Sequence, residues 1–591
     1  MPVLPACSVS APLPALLAAC MGVCVTAMVG CGGGGGASDT SGTALTAAAP
    51  AGAATPAAAQ PPSIAQAVRL ASQATFGASE PLLAEIQSKG VVPWVEAQLA
   101  LDTSRYSAGG SAAIHQQTDA TAYCDQPSHT GPNCWRDNFS TQPLVWDFYR
   151  NALAQPDQLR QRVAFALSQV LVVSNVDTEG TYGFRRYHNQ LLANAFGNYR
   201  ALLRKIALSP VMGEYLNNVN NHRIAPNENF ARELLQLFSL GTCQLNADGT
   251  LVSGDCKPTY DNATVRAYAY ALTGWTYPAG GRSAQTCGAP GPNCRFLDGD
   301  MVPLPPFHDA APRRLLAGVT LAANHDAPAA LESVLDSLMA HPNLAPFVAT
   351  RLIQHLVTSN PSAAYVGRVA NAFSSGSFRS GAAGFGSGTV GDLAATVAAV
   401  LLDDEARSDT PASTAGRLRE PVLLFTGVLR AVDGHTDGDA LGFAIGGDLR
   451  QIVFRPPSVF SFYPNDYPVA GTKLVGPSFG VHNANTALAR LNFLSYLMDW
   501  GGSAPDTNVP GATGTGVDLR RFETDADDPA ALVDRLSRLA LGAPLPAAVR
   551  AKAIDAVAWW SVDTGAEHWR NDRVRTAAYL VFAAPAYQVQ R

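Results

Sequence analysis

The apolar residues after Ser63 recur mainly at the spacing of an α-helix. Apolar side chains often fall at i, i+3, i+4 and i+7, while alternating β patterns are few and short, as at residues 318–322. No repeat with the period of a solenoid is present. We therefore predict a mainly α fold, a large single helical domain of one or two lobes, with few short strands and long disulfide-stapled loops. The predicted helices are Ile64–Phe76, Glu80–Ser88, Pro93–Leu99, Gln158–Val173, Tyr199–Leu208, Asn227–Leu240, Ala263–Trp275, Ala329–Met339, Ala345–Thr358, Asp392–Leu402, Arg417–Val432, Ala484–Trp500, Ala530–Leu541 and Val574–Ala584.

The composition supports a folded chain and disfavours a nucleic-acid partner. Apolar residues make up 47% of the 591 positions and charged residues 15%, with a net charge of −6. Disorder goes with low hydrophobicity and high net charge, so most of this chain can fold. A nucleic-acid surface would bring a basic stripe, which the mild acidity disfavours. No Gly-x4-Gly-Lys-Ser/Thr phosphate loop occurs, and the sequence leaves the cofactor open.

The first 62 residues have the pattern of an export signal and a tether. No Lys or Arg precedes Arg69, and the run from Ala11 to Val29 carries no charge. Met28-Val29-Gly30-Cys31, followed by five glycines, resembles a bacterial lipoprotein cleavage site; Cys20 is an alternative, and Cys31 is preferred because a flexible tether follows it. We predict an export signal at 1–30, a Gly/Ala/Pro-rich tether at 31–62 and a helical domain at 63–591. The expected location is periplasmic or cell-surface, lipid-anchored to a bacterial membrane.

Six of the ten cysteines form three close pairs in the folded part. Each pair brackets a loop rich in Gly, Pro, Asn or Asp, which can bring two sulfurs together. None has the Cys-x2–4-Cys spacing that is usual in zinc sites, so disulfides are favoured over a metal. The predicted disulfides are Cys124–Cys134, Cys243–Cys256 and Cys287–Cys294.

The helix predicted at Asn227–Leu240 carries the first candidate catalytic residues. Asn227 is its expected cap and Gly241 its expected end. Glu228 and Arg232 are four residues apart on the polar face, whereas Glu233 lies near the edge of the apolar face and must be paired or line a cleft. The two glutamates point about 140° apart, so one of them would need a second carboxylate from elsewhere, such as Asp309 or Asp466. The alternative is a surface ion pair with a structural Glu233.

Loops supply the other candidates. His308-Asp309 lies in a Pro-rich loop, where conspicuous residues are better functional hints than core residues. His308, His325, His341 and His355 can be combined into a metal set, but adjacent His-Asp residues on a helix face different ways, and we assign no metal ligand. Trp275, Tyr463 and Asp466 lie in aromatic, turn-rich segments suited to binding sugars, or else packed against the core.

Several short motifs are spread over the folded part of the chain. They are residues 227–241, Ala271-Leu272-Thr273-Gly274-Trp275, Phe307-His308-Asp309, residues 341–348, Leu418-Arg419-Glu420-Pro421-Val422, Pro456-Pro457-Ser458-Val459-Phe460 and Tyr587-Gln588-Val589-Gln590-Arg591. Together they resemble one bacterial family, domain-of-unknown-function family 1800, over roughly residues 63–591. The resemblance implies an exported protein with a helical fold and no settled activity. Genes of that family often neighbour genes for proteins that resemble alkaline phosphatases and sulfatases, which suggests a protein partner.

Two functions follow as hypotheses. The first is a hydrolase acting on an extracytoplasmic polymer such as a polysaccharide. The expected roles are Glu228 or Glu233 as acid or base, Arg232 orienting a carboxylate, His308 and Asp309 as partners, and Trp275, Tyr463 and Asp466 as substrate-binding residues. The alternative is a non-enzymatic surface-binding protein, or a secretion or assembly partner of a phosphatase- or sulfatase-like protein. The sequence leaves open whether the chain is an enzyme.

Overall fold

A computed structural model describes residues 60–109, 123–129, 131–279 and 293–591. The predicted export signal, the lipidation site Cys31 and nearly all of the tether lie outside these residues. The described residues belong to one compact unit. Within them, no helix combines the length and the apolar character needed to cross a membrane.

Helices dominate the fold, as predicted. Short helical segments of four to six residues connect some of the longer helices. The helices of eight or more residues are Ile64–Ala74, Glu80–Lys89, Val91–Ala100, Gln142–Ala154, Gln158–Ser168, Thr181–Ala193, Tyr199–Ala207, Asn229–Gln236, Asn262–Ala271, Ala327–Met339, Leu344–Leu356, Ala363–Ser375, Leu393–Leu402, Pro421–Ala431, Ala484–Met498, Pro529–Leu541, Ala547–Ala558 and Trp569–Ala583.

Strands in the described part of the chain are short and pair only in twos. Each pair is antiparallel, and none is long enough to form a sheet core. The predicted β pattern at residues 318–322 contains one of these strands. The pairs are Trp275–Thr276 with Val302–Pro303, Arg313–Arg314 with Thr320–Leu321, Phe378–Ser380 with Ala383–Phe385, Arg417–Leu418 with Val589–Gln590, and His435–Thr436 with Thr515–Gly516.

Side-chain caps fix where many helices begin. The Ser63 hydroxyl accepts from the Gln66 backbone N–H, and the Gln66 side chain accepts from the Ser63 N–H, which completes a capping box. Asp326 caps the helix Ala327–Met339 by accepting from the Ala329 N–H. The dipeptide His325-Asp326 therefore forms the start of a helix.

The helix predicted at residues 227–240 is shorter than its apolar pattern suggested. It runs from Asn229 to Gln236, and the Asn227 side chain accepts from the Asn229 N–H in a turn before the helix. The Ser239 hydroxyl donates to the carbonyl oxygen of Leu234. A side chain that takes a backbone carbonyl competes with the helical ladder, which is why the helix ends early. The predicted cap and end were wrong, although Phe230, Ala231, Leu234, Leu235 and Phe238 on the apolar side of this segment are buried.

Two of the predicted disulfides are confirmed. Cys124 is bonded to Cys134 and Cys243 to Cys256. Cys294 is also disulfide-bonded, while its predicted partner Cys287 lies outside the described residues. Disulfides persist in oxidising compartments, so they are typical of an exported protein.

Candidate functional site

A buried carboxylate, Glu420, lies at the centre of the most polar part of the core. The residue is 0% exposed and immediately precedes the helix Pro421–Ala431. Its two oxygens accept four hydrogen bonds of 2.7 to 3.1 Å, from side chains that belong to four separate segments of the chain. The donors are Arg417, Gln169, Gln451 and Tyr463.

Arginines keep Glu420 ionised. Burial alone would raise its pKa, but the guanidinium groups of Arg417 and Arg162 lower that pKa to about 2. Burial also lowers the pKa of His355 to about 3, so that imidazole is neutral. A carboxylate that is saturated with donors in this way holds structure together and exchanges no proton near neutral pH.

A small cavity of about 110 Å³ lies beside this network. Gln169 belongs to both, because its amide donates to Glu420 and its side chain lines the cavity. The chain segments that line the cavity come from the end of the helix Asn229–Gln236 and the loop after it, from Gln169–Val170, from Arg351 on the helix Leu344–Leu356, and from the loop at residues 459–466. We refer to this cavity as the Gln169 pocket.

Side-chain hydrogen bonds hold the two loops that line the Gln169 pocket, the loop after the helix Asn229–Gln236 and the loop at residues 459–466. The Asn343 side chain donates to the carbonyl oxygens of Leu240 and Cys243, and the Cys243–Cys256 disulfide follows directly. In the second loop, the Tyr463 hydroxyl donates to Glu420 at 2.9 Å and so anchors residues 459–466. The pocket is thus built on rigid supports, which is what a binding site needs.

Glu233 lies one helical turn before two residues of the pocket, Gln236 and Leu237. Side chains at i and i+3 share one helix face, so Glu233 lies on the same face of the helix as Gln236, although its own side chain is not among those that line the pocket. Its carboxyl group is half-buried, and Oε2 is buried without a hydrogen-bond partner in the described residues. Burial raises the pKa of Glu233, and the neighbouring Arg232 only partly opposes this.

Two tyrosines share the electrostatic environment of Glu233. Burial and then Glu233 raise the pKa of Tyr260 to about 12. The pKa of Tyr215 is also raised, by burial, by Asp177 and by Glu233. Glu233 thus lies close to two phenols that stay protonated at neutral pH.

The other two charged candidates on this helix pair with each other. The Arg232 guanidinium donates to Glu228 at 3.0 Å, and Arg266 lies 3.5 Å from the same carboxylate. This is the surface ion pair that the sequence offered as the alternative to a catalytic role. Arg232 orients Glu228 and makes no ion pair with Glu233 in the described residues.

His308 and Asp309 form a separate cluster. His308 is 4% exposed, and its Nδ1 lies 2.9 Å from the carbonyl oxygen of Thr273. Asp309 is bound to Arg313 at 2.6 Å. No hydrogen bond or ion pair joins this cluster to Glu228, Arg232 or Glu233 within the parts of the chain that the structure describes.

The aromatic candidates are buried. Trp275 is 4% exposed and Tyr463 is 3% exposed, so neither ring has an open face for stacking. Gly274, beside Trp275, has a φ of +82°, and a Cβ there would lie 2.5 Å from the Cβ of His308. This close approach explains the glycine and packs the Trp275 segment against the His308 loop. Asp466, by contrast, is exposed and lines the Gln169 pocket.

The described residues contain no group of three or more His, Cys, Asp or Glu side chains placed to hold a metal ion. His341 and His355 are nonetheless informative. The Nδ1 of His341 accepts from the Asn343 N–H at 3.1 Å, and His355 accepts through its carbonyl oxygen from Arg162 and Arg417. Both histidines therefore support the fold around the pocket.

A family model described as a protein of unknown function (DUF1800) matches residues 69–589. The chain belongs to this family. The resemblance seen in the motifs is thereby confirmed over nearly the whole chain. No curated protein and no solved structure matches the chain. The family is described only as one of unknown function, so the chemistry of this DUF1800 member follows from its own residues.

Sequence reasoning missed the centre of the site. Glu420 lies in a motif that carries the family resemblance, but its role depends on partners up to 251 residues away. Arg351 and Gln169 lie in or just after helices and look like ordinary polar positions. The available signal was a carboxylate and two arginines within Arg417-Leu418-Arg419-Glu420, directly before an apolar helix.

Proposed function

We propose that this protein is an exported, lipid-anchored hydrolase of an extracytoplasmic polymer such as a polysaccharide, with Glu233 as its general acid. One observation carries the proposal: Glu233 lies one helical turn before a residue that lines the pocket, is half-buried with a raised pKa, and has a buried oxygen without a partner among the described residues. A carboxyl group that keeps its proton closer to neutral pH can donate it to a leaving oxygen.

Asp466 is the second carboxylate in this proposal. It lines the pocket from the loop at residues 459–466, and Gln236 from the helix that carries Glu233 lines the same pocket. Glycoside cleavage requires one carboxyl group that donates a proton and a second that activates water or attacks the sugar. In the hydrolysis, Glu233 gives its proton to the leaving oxygen as the C–O bond breaks. Asp466 removes a proton from the water that adds to the sugar carbon.

The test is incubation of the full chain with a panel of polysaccharides and esters, followed by assay of new reducing ends and released acids. Glu233→Gln removes the proton donor, and we expect it to lower the rate by about 10²–10⁴-fold. Glu96→Gln makes the same chemical change at an exposed helical position and should retain full activity. Equal activity in wild type and Glu233→Gln would remove Glu233 from the proposal.

The second candidate function is binding without catalysis. Gln169, Gln236 and Asn465 line the pocket, and amides bind sugar hydroxyls without transferring protons. A secretion or assembly partner of a phosphatase- or sulfatase-like protein belongs to the same class. If no substrate in the panel is cleaved and the same polymers bind wild type and Glu233→Gln equally, the binding function is favoured.

The anchored location has its own test. The disulfides support export, and Cys31 precedes the glycine-rich tether. Cells that express Cys31→Ser should lose incorporation of radiolabelled fatty acid, whereas Cys20→Ser should retain it. The reverse result would move the lipid site to Cys20.

A further inference from the structure

We propose that the Gln169 pocket binds an acidic sugar, a uronic acid residue, and that Arg351 recognises its carboxylate. This inference rests on the proposed action on a polysaccharide and adds the class of sugar. It is carried by three features of the pocket: a guanidinium group with free donors, an unpartnered buried acceptor and an exposed aromatic ring.

Arg351 supplies the cationic donors. Its Nη1 donates to Gln354 at 3.0 Å, while Nε and Nη2 make no hydrogen bond to the residues described here. These two nitrogens form the side-on fork that binds a carboxylate through two parallel hydrogen bonds. Asp466 acts on Arg351 electrostatically but forms no ion pair with it within the described residues. The fork therefore remains open to a ligand.

Positive charge prevails around this point. Arg162, Arg417 and Arg490 act on Glu420 beside the pocket, and Arg351 adds a fourth guanidinium, against the three carboxyl groups Glu420, Asp466 and Glu233, of which Glu233 has a raised pKa. His355 is neutral because burial lowers its pKa to about 3. An anionic ligand group is therefore electrostatically favoured over a neutral one.

The side-chain oxygen of Gln169 needs a hydrogen-bond donor, which a hydroxyl group of a ligand can supply. Its Nε2 must face Glu420, because a carboxylate only accepts hydrogen bonds. Its Oε1 is then left buried and without a partner among the residues that the structure describes, in a side chain that is 3% exposed. A buried acceptor without a donor is costly, and a sugar hydroxyl that enters the pocket would satisfy it.

Phe460 gives the pocket an apolar face. The side chain lines the pocket and is 47% exposed, unlike Trp275 and Tyr463. Aromatic rings present flat apolar surfaces on which the C–H face of a pyranose can pack. The cavity of about 110 Å³ is smaller than most small-molecule sites, so it would accept no more than one sugar residue at a time.

The test compares two probes that differ only at C6, methyl glucuronide and methyl glucoside, in calorimetric titrations of the full chain. We expect the glucuronide to bind at least about tenfold more tightly, since hydrogen bonds to charged groups are the stronger ones. Arg351→Gln should bring the two affinities to parity. Arg314→Gln makes the same change at an exposed arginine far from the pocket in sequence, and should keep the preference.

Two further variants keep the test decisive. If Arg351→Gln does not fold, Arg351→Lys retains the charge without the fork and should lose most of the preference. Phe460→Ala should weaken the binding of both probes to a similar extent and leave the ratio of their affinities unchanged. Equal affinity of wild type for both probes, or no binding of either, would overturn the inference. If neutral polymers are cleaved without any preference for acidic ones, the uronic acid inference fails while the hydrolase proposal stands. If the glucuronide is preferred but no polymer is cleaved, the hydrolase proposal fails while the uronic acid inference stands.

Discussion

Two glutamates, Glu233 and Glu420, illustrate how surroundings decide what a carboxyl group can do. Both are at least partly buried, which by itself raises the pKa of a carboxyl group. Glu420 has arginines and four donors that lower its pKa to about 2, whereas Glu233 has only Arg232 to oppose burial. Glu420 is therefore suited to holding structure and Glu233 to exchanging a proton.

Removing the charge of Glu420 should be strongly destabilising. Glu420→Gln leaves Arg417 and Arg162 buried without their carboxylate, and we expect the free energy of unfolding to fall by about 3–5 kcal/mol. Urea denaturation of the purified variant measures this loss. Exposed Glu96→Gln is the matched control and should change stability by less than about 0.5 kcal/mol. A loss for Glu420→Gln no larger than the control would contradict the proposed role of the network.

Removing the charge of Glu233 should change the free energy of unfolding in the opposite direction. Because its folded-state pKa is raised, its protonated form stabilises the fold below the unfolded-state pKa, and this contribution is lost as pH rises through the folded pKa. Glu233→Gln should therefore be more stable than wild type at about pH 7.5, by up to about 1 kcal/mol after allowance for solvent exposure. Near pH 4 the difference should shrink. Denaturation at both pH values checks this, and a less stable variant at pH 7.5 would show that Glu233 has a stabilising partner.

The helices and loops show how much the sequence alone could predict. Helical periodicity predicted the fold class because amphipathic helices such as Tyr199–Ala207 bury one face. It missed Gln142–Ala154, which is buried on nearly all sides and so lacks a polar stripe. Helix ends were placed wrongly where a side chain such as Ser239 competes for backbone carbonyls. The candidate site was only partly predictable, because the role of Glu420 depends on hydrogen-bond partners that are distant in sequence.

The loop after the helix Asn229–Gln236 depends on its disulfide. Cys243 and Cys256 are separated by 13 residues, and closing a loop of this length stabilises a fold by about 3 kcal/mol in the chain-entropy model. Replacing both cysteines by serine should lower the free energy of unfolding by about 2–3 kcal/mol, measured by denaturation without reductant. Because the loop lines the Gln169 pocket, sugar affinity should fall as well. Unchanged stability and affinity would show that Asn343 alone suffices to hold the loop.

At the scale of the whole molecule, residues near both ends of the described chain pack into the same core. Most buried apolar residues from Ala67 to Tyr587 belong to a single cluster, and Phe462, Tyr463 and Val481 form a second, small one. The last strand, Val589–Gln590, pairs with Arg417–Leu418, and the buried Gln590 side chain donates to the carbonyl oxygen of Leu356. The C-terminus thus supports the segment that places Glu420.

Deleting residues 589–591 should destabilise the protein. The deletion removes the strand pairing and the Gln590 hydrogen bond and leaves buried backbone groups unpaired, at a cost on the order of 3 kcal/mol. Thermal and chemical denaturation should both show the loss as a single transition, since the core is continuous. Deleting only the exposed Arg591 is the control and should have little effect. Two separate transitions, or no loss, would contradict a core that is closed by the C-terminal strand.

The most direct test of the account is the pH dependence of polymer cleavage by wild type and by Glu233→Gln. A general acid must be protonated, so wild-type kcat/KM should fall as pH rises through a pKa above the ordinary glutamate value of about 4.3. In Glu233→Gln, the residual activity should lack this alkaline limb. An identical profile in both proteins would contradict the assignment of Glu233 as the proton donor.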